Sequence, residues 1–183
     1  MAHAYDSAIS LWRIVKGRVN ALATLGDGMT LKAGDTAPKF RLATDGGGDV
    51  SSTALKGKPF VLYFYPKDDT SGCTREAIGF SKAAKTFAAL GVTVIGVSKD
   101  SAASHDRFKA KHKLKIVLAS DPEIQTAQDF GVWGEKTLYG RKYMGMERAT
   151  FLIDRKGVIR HIWRKVKVDG HVDAVRAAAK ALA

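Results

Sequence analysis

Cys73 is the only cysteine in the chain, and it stands three residues after Thr70, where an apolar run gives way to a helical pattern. Ala77, Phe80, Ala84 and Phe87 recur at helical spacing, which sets the start of that helix near Ser71 or Gly72. A cysteine in a helix's first turn meets backbone N–H groups without intrahelical partners and the positive end of the macrodipole, and both favour thiolate over thiol. A free thiol is only a few per cent ionised at neutral pH, whereas helix N-termini with cationic neighbours bring cysteine pKa values to about 3.5–7.5. Such a thiolate is a nucleophile. The Thr70 hydroxyl is spaced to donate to the sulfur or to hold an incoming oxygen. On position alone a second reading stands beside this one: Thr70 and Ser71 cap the helix, and Cys73 is a small buried hydrophobe.

The elements that would hold this site are legible around it. Phe60 to Tyr65, β-branched and aromatic between Pro59 and Pro66, predicts a strand buried on both faces, and Val92 to Ser98 predicts a second. With the Cys73 helix between them they form a right-handed crossover. Upstream, Lys39 to Thr44 and Val50 to Ser52 predict short strands around the glycine turn at 45–49, which lacks the Gly-Lys-Ser/Thr of a phosphate loop. Downstream, the pattern predicts a helix over 101–112, a strand over 116–119 and a helix from Pro122 to Phe130 capped by Asp121. An antiparallel hairpin of 149–153 with 158–163 and an alanine-rich helix over 172–182 complete it. This order predicts a mixed α/β sheet with helices on both faces.

Residues 5–24 place Ile9, Trp12, Val15, Val19 and Leu22 near helical spacing with Arg13, Lys16 and Arg18 between them, a basic amphipathic helix. The basic residues interrupt any signal-peptide core, and no stretch approaches a transmembrane length. We expect residues 1–30 to be a helix and linker, the helix packing on a single domain over 31–183 or on another subunit. The remaining length suits one domain with a substantial core. A lone cysteine excludes an intramolecular disulfide and any Cys-x-x-Cys redox or zinc pair, and suits a reducing, cytoplasmic setting. His105 and His112, seven apart, do not match helical zinc-ligand spacing, and a surface role is expected for them. The net charge is +12, and residues 141–167 contribute nine Lys or Arg against two acids. Without a nucleic-acid-binding motif this reads as a solvated basic face suited to anionic reductants or an acidic partner, with no specific nucleic acid.

Pro66, Thr70 and Cys73 match the Pro-x-x-x-Thr-x-x-Cys signature of the peroxiredoxins, and the run Tyr63 to Thr70 resembles the branch called peroxiredoxin Q or bacterioferritin comigratory protein. The resemblance extends from about Leu31 to the C-terminus, through Gly131-Val132-Trp133-Gly134-Glu135, Arg148 to Asp154 and Trp163 to His171. It implies a thioredoxin-like fold and a thiol-dependent peroxidase that needs no metal or organic cofactor. Cys73, Thr70 and Arg148 would be catalytic, while Pro66 shields the sulfur and lines the substrate pocket with Gly72. Two departures stand out. The usual Thr-Pro-Gly-Cys is Thr70-Ser71-Gly72-Cys73, and the position five after the nucleophile, often a resolving cysteine in this branch, is Ile78. The sulfenic acid formed on Cys73 would then be met by an external thiol, from thioredoxin, glutaredoxin, glutathione or another subunit. A monomer or weak homodimer is expected. The rival readings are a non-catalytic redox sensor or a basic nucleic-acid-binding module on the same scaffold.

Overall fold

The structure, a computed structural model, describes residues 30–138 and 140–182. The helix expected over 5–24 lies outside them. Seven strands form one sheet in the order β2-β1-β5-β4-β3-β8-β9. The strands are β1 (Arg41–Thr44), β2 (Asp49–Ser51), β3 (Phe60–Phe64), β4 (Thr93–Ser98), β5 (Val117–Ser120), β8 (Ala149–Ile153) and β9 (Ile159–Trp163), while β6 (Trp133–Leu138) and β7 (Arg141–Met146) form a separate hairpin. The helices are α1 (Ser71–Ala89), α2 (Ala102–His112), α3 (Gln125–Asp129) and α4 (His171–Leu182).

Strand β3 is the axis of the sheet, parallel to β4 on one side and antiparallel to β8 on the other. All five of its residues are buried, as its unbroken apolar sequence predicts. Its side chains alternate between two cores. Phe60, Leu62 and Phe64 join Phe130, Val132 and Met146 beneath α3 and the β6–β7 hairpin; Val61, Tyr63 and Tyr65 join Cys73, Phe80, Phe87, Phe108 and Val175 beneath α1, α2 and α4. The sheet is thus covered on both faces. One glycine is required by this packing. A Cβ at Gly96, the β4 partner of Tyr63, would lie 2.6 Å from the Tyr63 hydroxyl, so the tyrosine ring occupies the space that a side chain at 96 would need.

Two expectations need correction. The helix expected over 122–130 is only α3, because Ile124 adopts a left-handed conformation (φ 54°) and Pro122–Ile124 form a turn instead. Asp121 still caps α3, its carboxylate accepting from the Thr126 and Ala127 N–H groups at 3.3 and 2.8 Å. In addition, His105 is not a surface residue: it is fully buried, its Nδ1 3.0 Å from Asp68 Oδ2.

Candidate active site

The site assembles where three elements meet at the C-terminal end of β3. The Tyr65 N–H still donates to the Val97 carbonyl at 3.0 Å, but Pro66 has no N–H and the pairing stops there. The chain then turns through 67–70 into α1, whose N-cap position is Thr70. Cys73 is the third residue of the helix and is 1% exposed, packed with Tyr63, Ala77 and Phe80. The antiparallel register that pairs Phe64 with Ala149 carries Arg148, just ahead of β8, to the same edge. The Arg148 carbonyl accepts from the Val166 N–H at 2.9 Å, so the backbone behind the guanidinium is held as well.

Arg148 Nη2 donates to Cys73 Sγ at 3.2 Å. The guanidinium lies over Gly72, where a Cβ would come within 3.3 Å of Nη2, so the glycine makes room for the cation that faces the sulfur. Arg148 Nη1 donates to Glu76 Oε2. Glu76 is fully buried, one turn along α1 from Cys73, and its Oε1 has no partner among the described residues. Burial pushes the Glu76 carboxyl up to about 7, opposed by the charge of Arg148. Burial would lower Arg148, but Glu76 and Cys73 outweigh it and hold the guanidinium above its ordinary value. The result is a cation fixed by a carboxylate on one side and aimed at a sulfur on the other.

The loop that enters α1 is fixed by α2. Asp68 accepts from Tyr65 Oη and Ser104 Oγ, both at 2.8 Å, and lies 3.0 Å from His105 Nδ1. Its carboxyl is held below the ordinary range because, against burial, these hydrogen bonds from His105 and Tyr65 prevail. Asp69, in the left-handed region at φ 58°, reaches His112 Nε2 at 2.7 Å and also pairs with Lys111. On the other side, Thr150 Oγ1 and His171 Nε2 are 2.8 Å apart, and burial, together with the charge of Arg148, lowers His171 to about 4.

Of the residues expected to do chemistry, the structure brings Cys73, Arg148 and Gly72 together. Pro66 is half-buried at the strand exit, and Thr70 is exposed with its hydroxyl donating to the Lys67 carbonyl at 3.2 Å rather than to the sulfur. Thr70 makes no side-chain cap either, and neither reading of it is satisfied by a hydrogen bond to α1. Sequence reasoning missed Glu76 and the Asp68–His105 pair. The signal for Glu76 was available: it sits three residues after Cys73, on the face that also carries Ala77 and Phe80.

Among the described residues no cluster of His, Cys, Asp or Glu could hold a metal ion, and no helix is long and apolar enough to cross a membrane. Residues 33–162 match the AhpC/TSA family. Peroxiredoxin Bcp of Bacillus subtilis is 49% identical over 144 residues, covering 79% of this chain and 92% of that protein. Peroxiredoxin Bcp of Escherichia coli is 42% identical over 145 residues, with 79% and 93% covered. A mutant of Xylella fastidiosa PrxQ superposes with a TM-score of 0.79 at 37% identity over 84% of this chain and 98% of that one. A Xanthomonas campestris bacterioferritin comigratory protein, solved in a study of its alkyl peroxide reduction, gives 0.74 at 43% identity over 78% and 90%. With a thioredoxin-like sheet, a lone cysteine opening α1 under an arginine, and these relatives, the chain belongs to the AhpC/TSA family as a peroxiredoxin of the Bcp or peroxiredoxin Q kind, a thiol-dependent peroxidase.

Proposed function

We propose that Cys73 is the peroxidatic nucleophile, that it reduces hydrogen peroxide and organic hydroperoxides, and that its sulfenic acid is resolved by an external thiol. The observation that carries this reading is the 3.2 Å contact from Arg148 Nη2 to Cys73 Sγ, a charge-assisted donor of the kind that stabilises a thiolate. In the reaction the sulfur attacks one peroxide oxygen, the O–O bond breaks, and the other oxygen leaves as water or an alcohol. Negative charge moves from sulfur to the departing oxygen, so a fixed donor near both ends lowers the barrier. Arg148 has donors to spare for that oxygen, since its guanidinium carries five N–H groups.

Thr70 has a supporting role in this reading. Its hydroxyl donates to the Lys67 carbonyl, which leaves lone pairs free to accept from the peroxide O–H and orient it. Pro66 shields the sulfur from water, and Gly72 leaves room for both guanidinium and substrate. With Cys73 the only cysteine, the second thiol comes from outside, and thioredoxin, glutaredoxin and glutathione are the candidates. The reading places the protein in the reducing cytoplasm as a monomer or weak homodimer.

The test is mass spectrometry after one equivalent of peroxide. A gain of one oxygen at Cys73, trapped by a sulfenic-acid reagent and converted by a small thiol to a mixed disulfide, supports the mechanism. A product that is chiefly a disulfide-linked dimer through Cys73 replaces it with resolution between subunits, and a slow Cys73 together with salt-dependent DNA binding favours the basic nucleic-acid-binding module.

A further inference from the structure

Beside Arg148 lies a cleft of about 380 Å³, walled by the start of β6, the end of β7 and the segment that follows β9. Arg148 belongs to both places: it lines the cleft and it touches the nucleophilic sulfur. The other charged groups in the wall are Lys136, Lys165, Glu135 and Glu147, with Trp133 as the aromatic surface between them. Lys136 is half-buried and uses one of its three donors on the Met146 carbonyl. Lys165 is exposed, in a left-handed conformation at φ 47° that lysine seldom adopts, and its backbone N–H is tied to Glu147 Oε1 at 3.2 Å. The Lys165 ammonium has no ion-pair partner among the described residues. Among the described residues Glu135 pairs with Lys142 alone, in an exposed contact that holds it weakly.

We propose that this cleft is where the reducing thiol docks, and that it takes a small zwitterionic peptide thiol bearing free carboxylates, the class glutathione represents. The proposal rests on the reading above, in which the sulfenic acid meets an external thiol, and names the chemistry of that thiol. Three arguments select it. The first is size: the cleft falls in the range of small-molecule sites, and an extended tripeptide spans at most about 10 Å, enough for its ends to sit in the cleft while its sulfur reaches past Arg148. The second is the charge pattern: two ammonium groups and a guanidinium against two carboxylates match a molecule with two carboxylates and one ammonium group.

The third is a change of charge on turnover. Arg148 touches the sulfur at 3.2 Å and also lines the cleft, so one guanidinium links the charge on the sulfur to the cleft wall. Oxidation turns an anionic thiolate into a neutral sulfenic acid. A negative charge beside Arg148 is thereby removed when an anionic reductant is required, and it returns when the thiolate is restored. In the step itself the thiol sulfur of the reductant attacks Cys73 Sγ, the S–O bond breaks, and the departing hydroxyl leaves with the thiol's proton as water. A second molecule of the same thiol attacks the mixed disulfide, releasing the Cys73 thiolate and a symmetrical disulfide, so two thiols supply the two electrons that the peroxide removed.

The experiment uses the full chain and separates the two readings by half-reaction. Sulfenic acid formation is followed first, with peroxide alone; if none forms, the peroxidase mechanism fails and the docking idea is not what has been refuted. Turnover is then measured with glutathione and with 2-mercaptoethanol, an uncharged thiol, for the wild type, Lys165→Gln, Lys136→Gln and the charge-conserving Lys136→Arg. We expect Lys165→Gln to raise KM for glutathione about five- to tenfold more than for 2-mercaptoethanol, the loss of one partly screened ion pair, with Lys136→Arg restoring what Lys136→Gln loses. The difference shrinks as salt is added. Unreactive S-methylglutathione should bind Cys73→Ser, whose neutral side chain stands for the sulfenic acid, several-fold more tightly than the reduced wild type, on the order of one screened charge interaction. Equal changes for the charged and uncharged thiols overturn the proposal. So does turnover by thioredoxin that is saturated at far lower concentration than glutathione and is indifferent to both lysines.

Discussion

Replacing Arg148 by methionine removes the cation that touches the sulfur and keeps an unbranched, flexible side chain, though a shorter one. The guanidinium is 16% exposed at the side chain and lies 3.2 Å from Sγ. At an effective dielectric of about 20 a unit pair at that distance is worth about 5 kcal/mol, and in bulk water little over 1 kcal/mol. Because Glu76 shares the same guanidinium, the loss should fall near that of one charge-assisted hydrogen bond, about 2–3 kcal/mol. That corresponds to a rate of sulfenic acid formation lower by about 30- to 150-fold. A complication follows from the same geometry, since the single variant leaves the fully buried Glu76 without its partner, at a cost of about 3–5 kcal/mol in stability. The informative protein is therefore Arg148→Met combined with Glu76→Met, which removes both charges and keeps the volume. Peroxide consumption under single turnover, with melting temperature as the check on folding, reads the result. A folded double variant that reduces peroxide at close to the wild-type rate would mean that this arginine does not serve the thiolate and that the site has been assigned to the wrong cation.

Deletion of residues 1–30 should leave peroxide reduction largely intact, because every group assigned a role follows Leu31; loss of activity in a folded truncated protein would bring that segment into the site or into a required dimer. His105→Asn should destabilise the fold by about 2–4 kcal/mol by leaving Asp68 short of its buried partner, and amide exchange should quicken first over residues 67–70; a denaturation midpoint equal to that of the wild type refutes the anchoring role. The pH dependence of stability should contain two opposed contributions. His171, lowered from 6.5 to about 4, contributes stability that is present above its unfolded value and is lost as pH falls toward 4, whereas Glu76, raised from 4.5 to about 7, contributes stability present below pH 4.5 and lost as pH rises through 7. His171→Phe should therefore leave a melting temperature that declines more steeply than the wild type's between pH 4.5 and 7, and parallel profiles for the two proteins would contradict this.

What could be read in the sequence is what a short stretch settles by itself. The apolar runs of β3 and β4, the helical recurrence of α1 and the turn at 154–157 between β8 and β9 are local signals, and each element lies where its pattern predicts. Cys73 was marked by its place at a helix start and by the motif, and Arg148 by the family resemblance; the β8 register brings them within a hydrogen bond of each other. The hairpin β6–β7 was not predicted, because most of β7 is exposed and its residues do not alternate between apolar and polar. The burial of His105 was illegible for a different reason: its partner Asp68 is 37 residues away, and only the packing of α2 against the entry loop brings them together. A histidine in a polar helix carries no sign of such a partner. Thr70 shows the converse limit, since the motif names the residue but not the direction of its hydroxyl, which here lies on the Lys67 carbonyl.

Ile78 links the geometry of the helix to the choice of reductant. Residues 73 and 78 are rotated by about 140° and separated by about 7.5 Å along an α-helix, so a disulfide between those positions demands that the first turns of α1 unwind. In this protein unwinding would be costly at several points together: it would withdraw Glu76 from Arg148, expose Cys73 and Ala77, and pull Ile78 from the apolar cluster against which it packs. A fully buried isoleucine contributes about 1.5–3 kcal/mol and the half-buried Ile78 a part of that, and no covalent bond waits at the end of the motion, because position 78 carries no sulfur. The helix then has reason to remain folded through the catalytic cycle, and the Glu76–Arg148 pair has reason to stay in place while the sulfur changes oxidation state. A site that stays fixed must be visited rather than rearranged. The cleft on the side of Arg148 is lined by Lys136 and Lys165, and in the proposed mechanism that suits a reductant small and anionic enough to enter.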